Sequence, residues 1–340
     1  MYLTQTTLEQ LENFGKHGLR NELYSEHLRL VWKETVPLMA INHPYLMHGV
    51  LATSAMHLAY LRPDEAQRYL RLCDEHQCAA IGQFREQLKA INAHNAAALF
   101  ALAALVSMAT LARMLPKVRR LQREHAGDIL DWILETIHLT RGARDVLMTG
   151  EKWVWGSPMR NAMLGFDPPS DALAPTHVRH HMYHLSEFCI SACTDTHKRT
   201  ICLDAIQELH STYDTVCSLT QKQLEVGHLM HWFVKASPGF IDLLRERDSM
   251  AVLILCHFWL LWAAFQHLWY VQDLALRSLL FLEDLLDEIH RPWLEWAKAE
   301  LRDDMPCLNG AAHTPMTTTT TPTPNVTSTY PSSAPAYSSA

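Results

Sequence analysis

Two stretches of this 340-residue chain are apolar around the whole circumference of a helix, and no other feature limits the fold as much. From Ala96 to Leu115 the run carries Leu99, Phe100, Leu102, Leu105, Val106, Met108 and Leu111. From Ser249 to Val271 it carries Val252, Leu253, Ile254, Leu255, Phe258, Trp259, Leu260, Leu261, Trp262, Phe265, Leu268 and Trp269. A helix without a polar face is either a membrane span or the centre of a large core. A span takes ~20 apolar residues in succession. Ser107, Thr110 and Arg113 interrupt the first run, and His257, Gln266 and His267 the second. Both therefore read as central helices of a buried core, with no membrane span.

The rest of the chain supplies helices to cover them. Pro44 suits a first helical turn, so a helix is expected from about Pro44 to Tyr60. After Arg62-Pro63-Asp64, the residues Ala66, Tyr69, Leu70, Cys73, Gln77, Ala80, Ile81, Phe84 and Leu88 recur at spacings of three and four. That is one face of a long amphipathic helix ending near Ile91. The 12 glycines lie mostly between such segments, which favours helices over tight-turned strands. Gly156, Pro158, Gly165, Pro168 and Pro169 make Trp153 to Ser170 a loop and a candidate internal boundary. Helices resume near Asp171, Thr200 and Gln221, and Pro238-Gly239 breaks the next one. From Ala311 to Ala340 the chain is Thr, Ser and Pro with little else, too polar to order itself. The expected fold is all-α: a multi-helix globular regulatory domain over residues 21–305, built on two central apolar helices. A segment at 1–20 precedes it, and a disordered tail at 306–340 follows.

Charge limits the partners. The formal net charge is -7. An acidic chain lacks the phosphate contacts that supply most nucleic-acid affinity, so no direct DNA binding by this chain is expected. Arg113, Lys117, Arg119, Arg120 and Arg123 form the one basic cluster, either a solvated helix face or a nuclear localisation patch. The eight cysteines are scattered, and several fall at apolar positions of helices, where a free thiol behaves as a small hydrophobe. Met1 to Gln10 has neither the basic nor the apolar region of a signal peptide, so a reducing compartment is the default.

Candidate sites are few. His177/His181 and His180/His184 are spaced i, i+4, a spacing that can grip a metal, and Cys189, Cys193 and His197 follow at the same interval. No carboxylate or closed cysteine quartet completes a ligand set, so a His-rich amphipathic face is the plainer reading. Glu283-Asp284 and Asp287-Glu288 have the spacing of an acidic metal-diphosphate motif. The partner motif is missing, and Leu279, Leu280, Leu282, Leu285, Leu286 and Ile289 alternate with these acids as on the solvated side of an amphipathic helix. No nucleophile elbow, phosphate loop or dinucleotide fingerprint is present, so neither enzymatic activity nor a cofactor is expected. A lipid pocket, if the fold has one, falls between the most apolar helices, with Phe100, Met108, Phe258, Trp262 and Trp269 as candidate lining.

Three segments in order resemble a known family. The first runs His43-Pro44-Tyr45-Leu46-Met47-His48-Gly49-Val50-Leu51-Ala52 and on through Ala55-Met56-His57-Leu58-Ala59. The second runs from Tyr69 through Phe84 and Leu88 to Asn95-Ala96-Ala97-Ala98-Leu99-Phe100, and Leu139-Thr140-Arg141-Gly142 fits a further recurrent step. The third runs from Ser237-Pro238-Gly239-Phe240 through Ala251 to His257 and Trp269, ending in Trp293-Leu294-Glu295-Trp296. Together, over about residues 20 to 300, they resemble the regulatory domain of fungal zinc-cluster transcription factors of the sterol uptake control type. The resemblance implies an all-helical, ligand-sensing regulator of transcription, with a sterol-like hydrophobic ligand and control of sterol or secondary-metabolite genes. It implies a nuclear protein shuttling with the cytoplasm, partnered by a second copy or another transcription factor. The six-cysteine DNA-binding motif of such proteins has no counterpart here, because no cysteine precedes Cys73. A helical isoprenoid-diphosphate enzyme and a membrane protein are the rival readings.

Overall fold

Prolines and small polar caps decide where the helices of this chain begin. The computed structural model describes residues 5–14, 26–120, 126–162, 171–220 and 223–302. α1 (Gln5–Asn13) comes first; α2 (Glu26–Leu30) passes through a π-helical turn, Val31–Thr35, into α3 (Val36–Ala40). Pro44 opens α4 (Pro44–Leu61) at no cost, because the first N–H groups of a helix have no internal partner. A 3-10 turn at Pro63–Glu65 leads into α5 (Ala66–Leu88). α6 (Ala96–Arg120) and α7 (Ala126–Trp155) follow, then a 3-10 turn at Pro158–Ala162 and α8 (Thr176–Ala192). α9 (Thr196–Ser218) starts at Asp195, whose carboxylate accepts from the amides of His197 and Lys198. α10 (Val226–Lys235) begins with a reciprocal cap between Glu225 and His228. Ser237 and Pro238 start α11 (Pro238–Arg245), and Asp248 caps α12 (Ser249–Leu260) by accepting from Met250 and Ala251. α13 (Leu274–Leu282) and α14 (Leu294–Arg302) complete the described residues. No strand occurs among the described residues, so the all-α expectation holds.

The helices at 44–60 and 64–91 appear where the pattern puts them, as α4 and as the 3-10 turn plus α5. The second apolar run differs: it is α-helical only to Leu260, then tightens into a 3-10 turn at Leu261–Phe265. Three residues per turn hold Trp262 above Phe265, with ring centroids 6.2 Å apart. The chain then turns through Asp273, whose φ of 60° ends the irregular stretch. The expected loop at 153–170 begins later than its composition suggests, and the helix expected near Asp171 begins at Thr176. α7 runs to Trp155, Val154 and Met159 are core residues, and one buried apolar set spans both sides, so this segment does not divide two cores. Residues 163–170 and the Thr/Ser/Pro tail lie outside the described residues.

α12 sits at the centre, with Met250 to Leu260 wholly buried and α9, α11, α13 and α14 packed on it. α6 is the one described helix long and apolar enough by itself to cross a membrane, and 67% of that stretch is buried against other helices. Gly150 of α7 lets it approach α6, since a Cβ there would lie 2.8 Å from the Cβ of Ala96. Within the expected N-terminal segment, α1 docks on α4. The side chains of Gln10 and Asn13 donate to the Leu51 carbonyl (3.2 Å) and the Ser54 hydroxyl (3.0 Å).

Candidate functional site

The ligand candidates fall into separate places. Phe258 and Trp262 lie fully buried in an aromatic group: Phe258 stacks on Trp232 (centroids 4.2 Å), and Trp259 links it to Trp262 (5.7 Å). The three buried indoles differ in one respect. Trp232 and Trp259 donate to the carbonyls of Ala205 (3.4 Å) and Leu274 (3.3 Å), while the Trp262 N–H has no partner among the described residues. The Ser278 hydroxyl, on α13 packed against the 261–265 turn, is likewise buried without one. Buried polar groups are nearly always satisfied, so each of these two orphans is an exception to that rule. Trp269 is elsewhere, half-buried beside His57 (4.8 Å) and Tyr60 (5.8 Å) of α4. Phe100 and Met108 lie on the half-buried side of α6.

A cleft of about 160 Å³ opens between α5, α6 and α7, lined by Gln77, Thr110, Arg113, Met114, Trp132 and Glu135. It is small beside the ~300–1,000 Å³ of ordinary ligand pockets, and none of the five candidates lines it. Arg113 is held there by Asp74 (2.5 Å) and Gln77 (2.6 Å). The structure thus takes Arg113 out of the basic cluster. Arg123, and the side chains of Lys117, Arg119 and Arg120, lie outside the described residues.

The histidines of α8 disperse. His177 pairs with Glu300 (3.2 Å), and His180 meets His184 (3.0 Å) at the surface. His181 turns inward to His257 of α12, with Nε2 to Nε2 at 2.9 Å, and lies flat on Trp296 at 4.0 Å. His257 Nδ1 lies 2.9 Å from the Leu253 carbonyl, which accepts only from an N–H. The proton of His257 therefore sits on Nδ1, and His181 Nε2–H donates to the bare Nε2. Burial lowers the pKa of His257 to about 4 and that of His181 to about 2, so both rings are neutral. Cys189 and Cys193 do come together, at 4.0 Å, and Cys202 of α9 joins them; all three sulfurs lie within 4.8 Å of one another. His197 stays exposed at the start of α9.

The acidic motif does not sit on one helical face, because α13 stops at Leu282 and Glu283–Leu285 is a 3-10 turn. Glu283 pairs with Lys298 (2.6 Å), and Asp287 accepts from His290 (2.6 Å). Neither is disposed to share a metal-diphosphate with the other.

Over 285 residues, the chain is 22% identical to a Zn(2)-C6 fungal-type transcription factor of Gibberella zeae, covering 78% of this chain and 55% of the relative. The chain is homologous to fungal Zn(2)-C6 transcription factors. A stretch of 71 residues, 21% of the chain, is also 38% identical to Sterol uptake control protein 2 of Candida albicans, covering 9% of that protein. The chain spans about half the length of the Gibberella relative. No protein-family model matches.

Two groups escaped the sequence reading. Cys202 lies nine residues beyond Cys193, across a turn and into the next helix, at no spacing that marks a ligand. His257 had one available signal, a lone polar ring in an otherwise apolar helix. A buried histidine needs a partner, and its partner is His181.

Proposed function

We propose that this chain is the ligand-sensing regulatory region of a fungal transcriptional regulator responding to a hydrophobic small molecule of sterol type. The observation that carries the reading is homology over most of the chain to a fungal zinc-cluster factor, together with the sterol uptake relative. The all-helical core is consistent with it. The orphan Trp262 N–H is a polar group that a mostly apolar ligand bearing one hydroxyl would satisfy. Entry there requires the irregular 261–273 segment to part from its neighbours. The ligand then favours whichever packing of that segment binds it better, and so changes the surface offered to a second copy or to another transcription factor. The regulated genes are those of sterol or secondary-metabolite pathways, the site of action is the nucleus, and DNA contact falls to another module.

The test fuses the chain to a heterologous DNA-binding domain in yeast and varies sterol supply. Reporter output that follows sterol level is expected, with the response blunted by Trp262→Phe. Output identical to the DNA-binding domain alone, at every sterol level, refutes the reading.

A further inference from the structure

We propose that Cys189, Cys193 and Cys202 form a binding site for a monovalent copper ion. The site is independent of the regulatory reading and uses none of its residues. Cys189 is in the last turn of α8 and Cys193 caps that helix; Cys202 is in the second turn of α9, so the helical hairpin brings all three to one point. Each is buried, with exposures of 0%, 4% and 0%, and their sulfurs all lie within 4.8 Å of one another. The other buried described cysteines, Cys73, Cys217 and Cys256, are in no such group.

Geometry and hardness choose the ion. A metal–thiolate bond of ~2.3 Å in a trigonal plane places the sulfurs ~4 Å apart. Cys189 and Cys193 already stand at 4.0 Å. Thiolates select soft ions, copper(I) and zinc among them. Structural zinc takes four ligands. Among the described residues no fourth histidine, cysteine or carboxylate joins the three sulfurs. Asp248, an acid whose charge acts on Cys193 and Cys202, accepts from two amides at the start of α12 and pairs with Lys198. Copper(I) is satisfied by three sulfurs alone. Binding replaces three S–H bonds by three Cu–S bonds and releases three protons, leaving a complex of charge -2. No electron is transferred. Proton release is therefore an observable of loading.

The experiment titrates the full chain, reduced and anaerobic, with copper(I) against the chelator bathocuproine disulfonate. One copper per chain should be withheld from the chelator, with protons released to the buffer. Cys189→Ser, Cys193→Ser and Cys202→Ser should each weaken retention by more than the roughly 10–100-fold typical of losing an outer-shell partner. Cys256→Ser, buried outside the group, should not. X-ray absorption of the copper-loaded native chain should show sulfur neighbours only; this readout stands even if a variant fails to fold. Retention that survives all three substitutions, a nitrogen neighbour at the metal, or zinc held while copper(I) is released overturns the proposal. So does a disulfide between two of these cysteines in freshly isolated protein.

Discussion

Replacing Trp262 by phenylalanine should destabilise the fold less than the same replacement at Trp259 or Trp232. All three side chains are fully buried, within one chain of ring contacts, so each substitution removes a similar apolar volume and leaves a similar void. They differ in what the indole N–H is doing. At Trp259 and Trp232 it donates to a buried carbonyl, and losing a hydrogen bond of this kind costs ~1 kcal/mol. At Trp262 the N–H is unsatisfied, a standing penalty of ~1–3 kcal/mol that phenylalanine abolishes. The sites should therefore differ by ~2–4 kcal/mol in favour of Trp262→Phe. At ~2–4 °C per kcal/mol for a large domain, that separates the melting temperatures by several degrees. Trp262→Ala keeps no such advantage and should lose ~3–5 kcal/mol, as truncated buried aromatics do. Urea unfolding and thermal melts of the four variants decide it. Equal losses for the three phenylalanine variants would show that the Trp262 N–H is satisfied in solution and would remove it as a polar anchor for a ligand.

Acid should weaken the fold through His257. Its folded pKa of about 4 lies below the ordinary imidazole value of 6.5, so its contribution is complete above pH 6.5 and is lost as pH falls toward 4, by roughly 3 kcal/mol. His181, bonded to His257 and lowered further, and His43, His48, His76, His231 and His267 are lowered too, so the check is a shallower pH slope of the urea midpoint in His257→Phe than in the parent. Gly82→Ala and Gly142→Ala meet nothing within 4 Å and should each stabilise their helices by ~0.5–1 kcal/mol. Gly150→Ala drives a methyl into Ala96, whose Cβ cannot rotate away, and should cost ~1–3 kcal/mol; melts of the three report the sign. With a net charge of -7, the purified chain should give no sequence-selective gel shift, and a selective, salt-sensitive one would refute that expectation.

Helix type and order were legible because period and punctuation are local. Pro44 marks its helix start by chemistry that needs no tertiary context, whereas the starts expected near Asp171, Thr200 and Gln221 fall at Thr176, Thr196 and Val226. What escaped was set by packing. The switch to a 3-10 turn after Leu260 follows from aromatic crowding that an apolar run does not reveal. The end of α13 at Leu282 broke a pattern of leucines and acids that reads as helix through Ile289. Of the His and Cys candidates, the i, i+4 rule joined Cys189 to Cys193 and His180 to His184. It could not show that His181 faces the core or that Cys202 arrives from the neighbouring helix.

The order in which α6 and its covers appear along the chain bears on synthesis. α6 rests on α4, which precedes it, and on α7 and α13, which follow it. A ribosome-bound chain ending near residue 125 has made a helix with the length and apolarity of a membrane span, and has made neither α7 nor α13. α7, its main cover, is complete after ~30 more residues, and the part that α13 covers waits for ~150, at ~5–20 residues per second. The last of the cover on α6 therefore arrives from the far end of the chain, an order that the finished structure conceals.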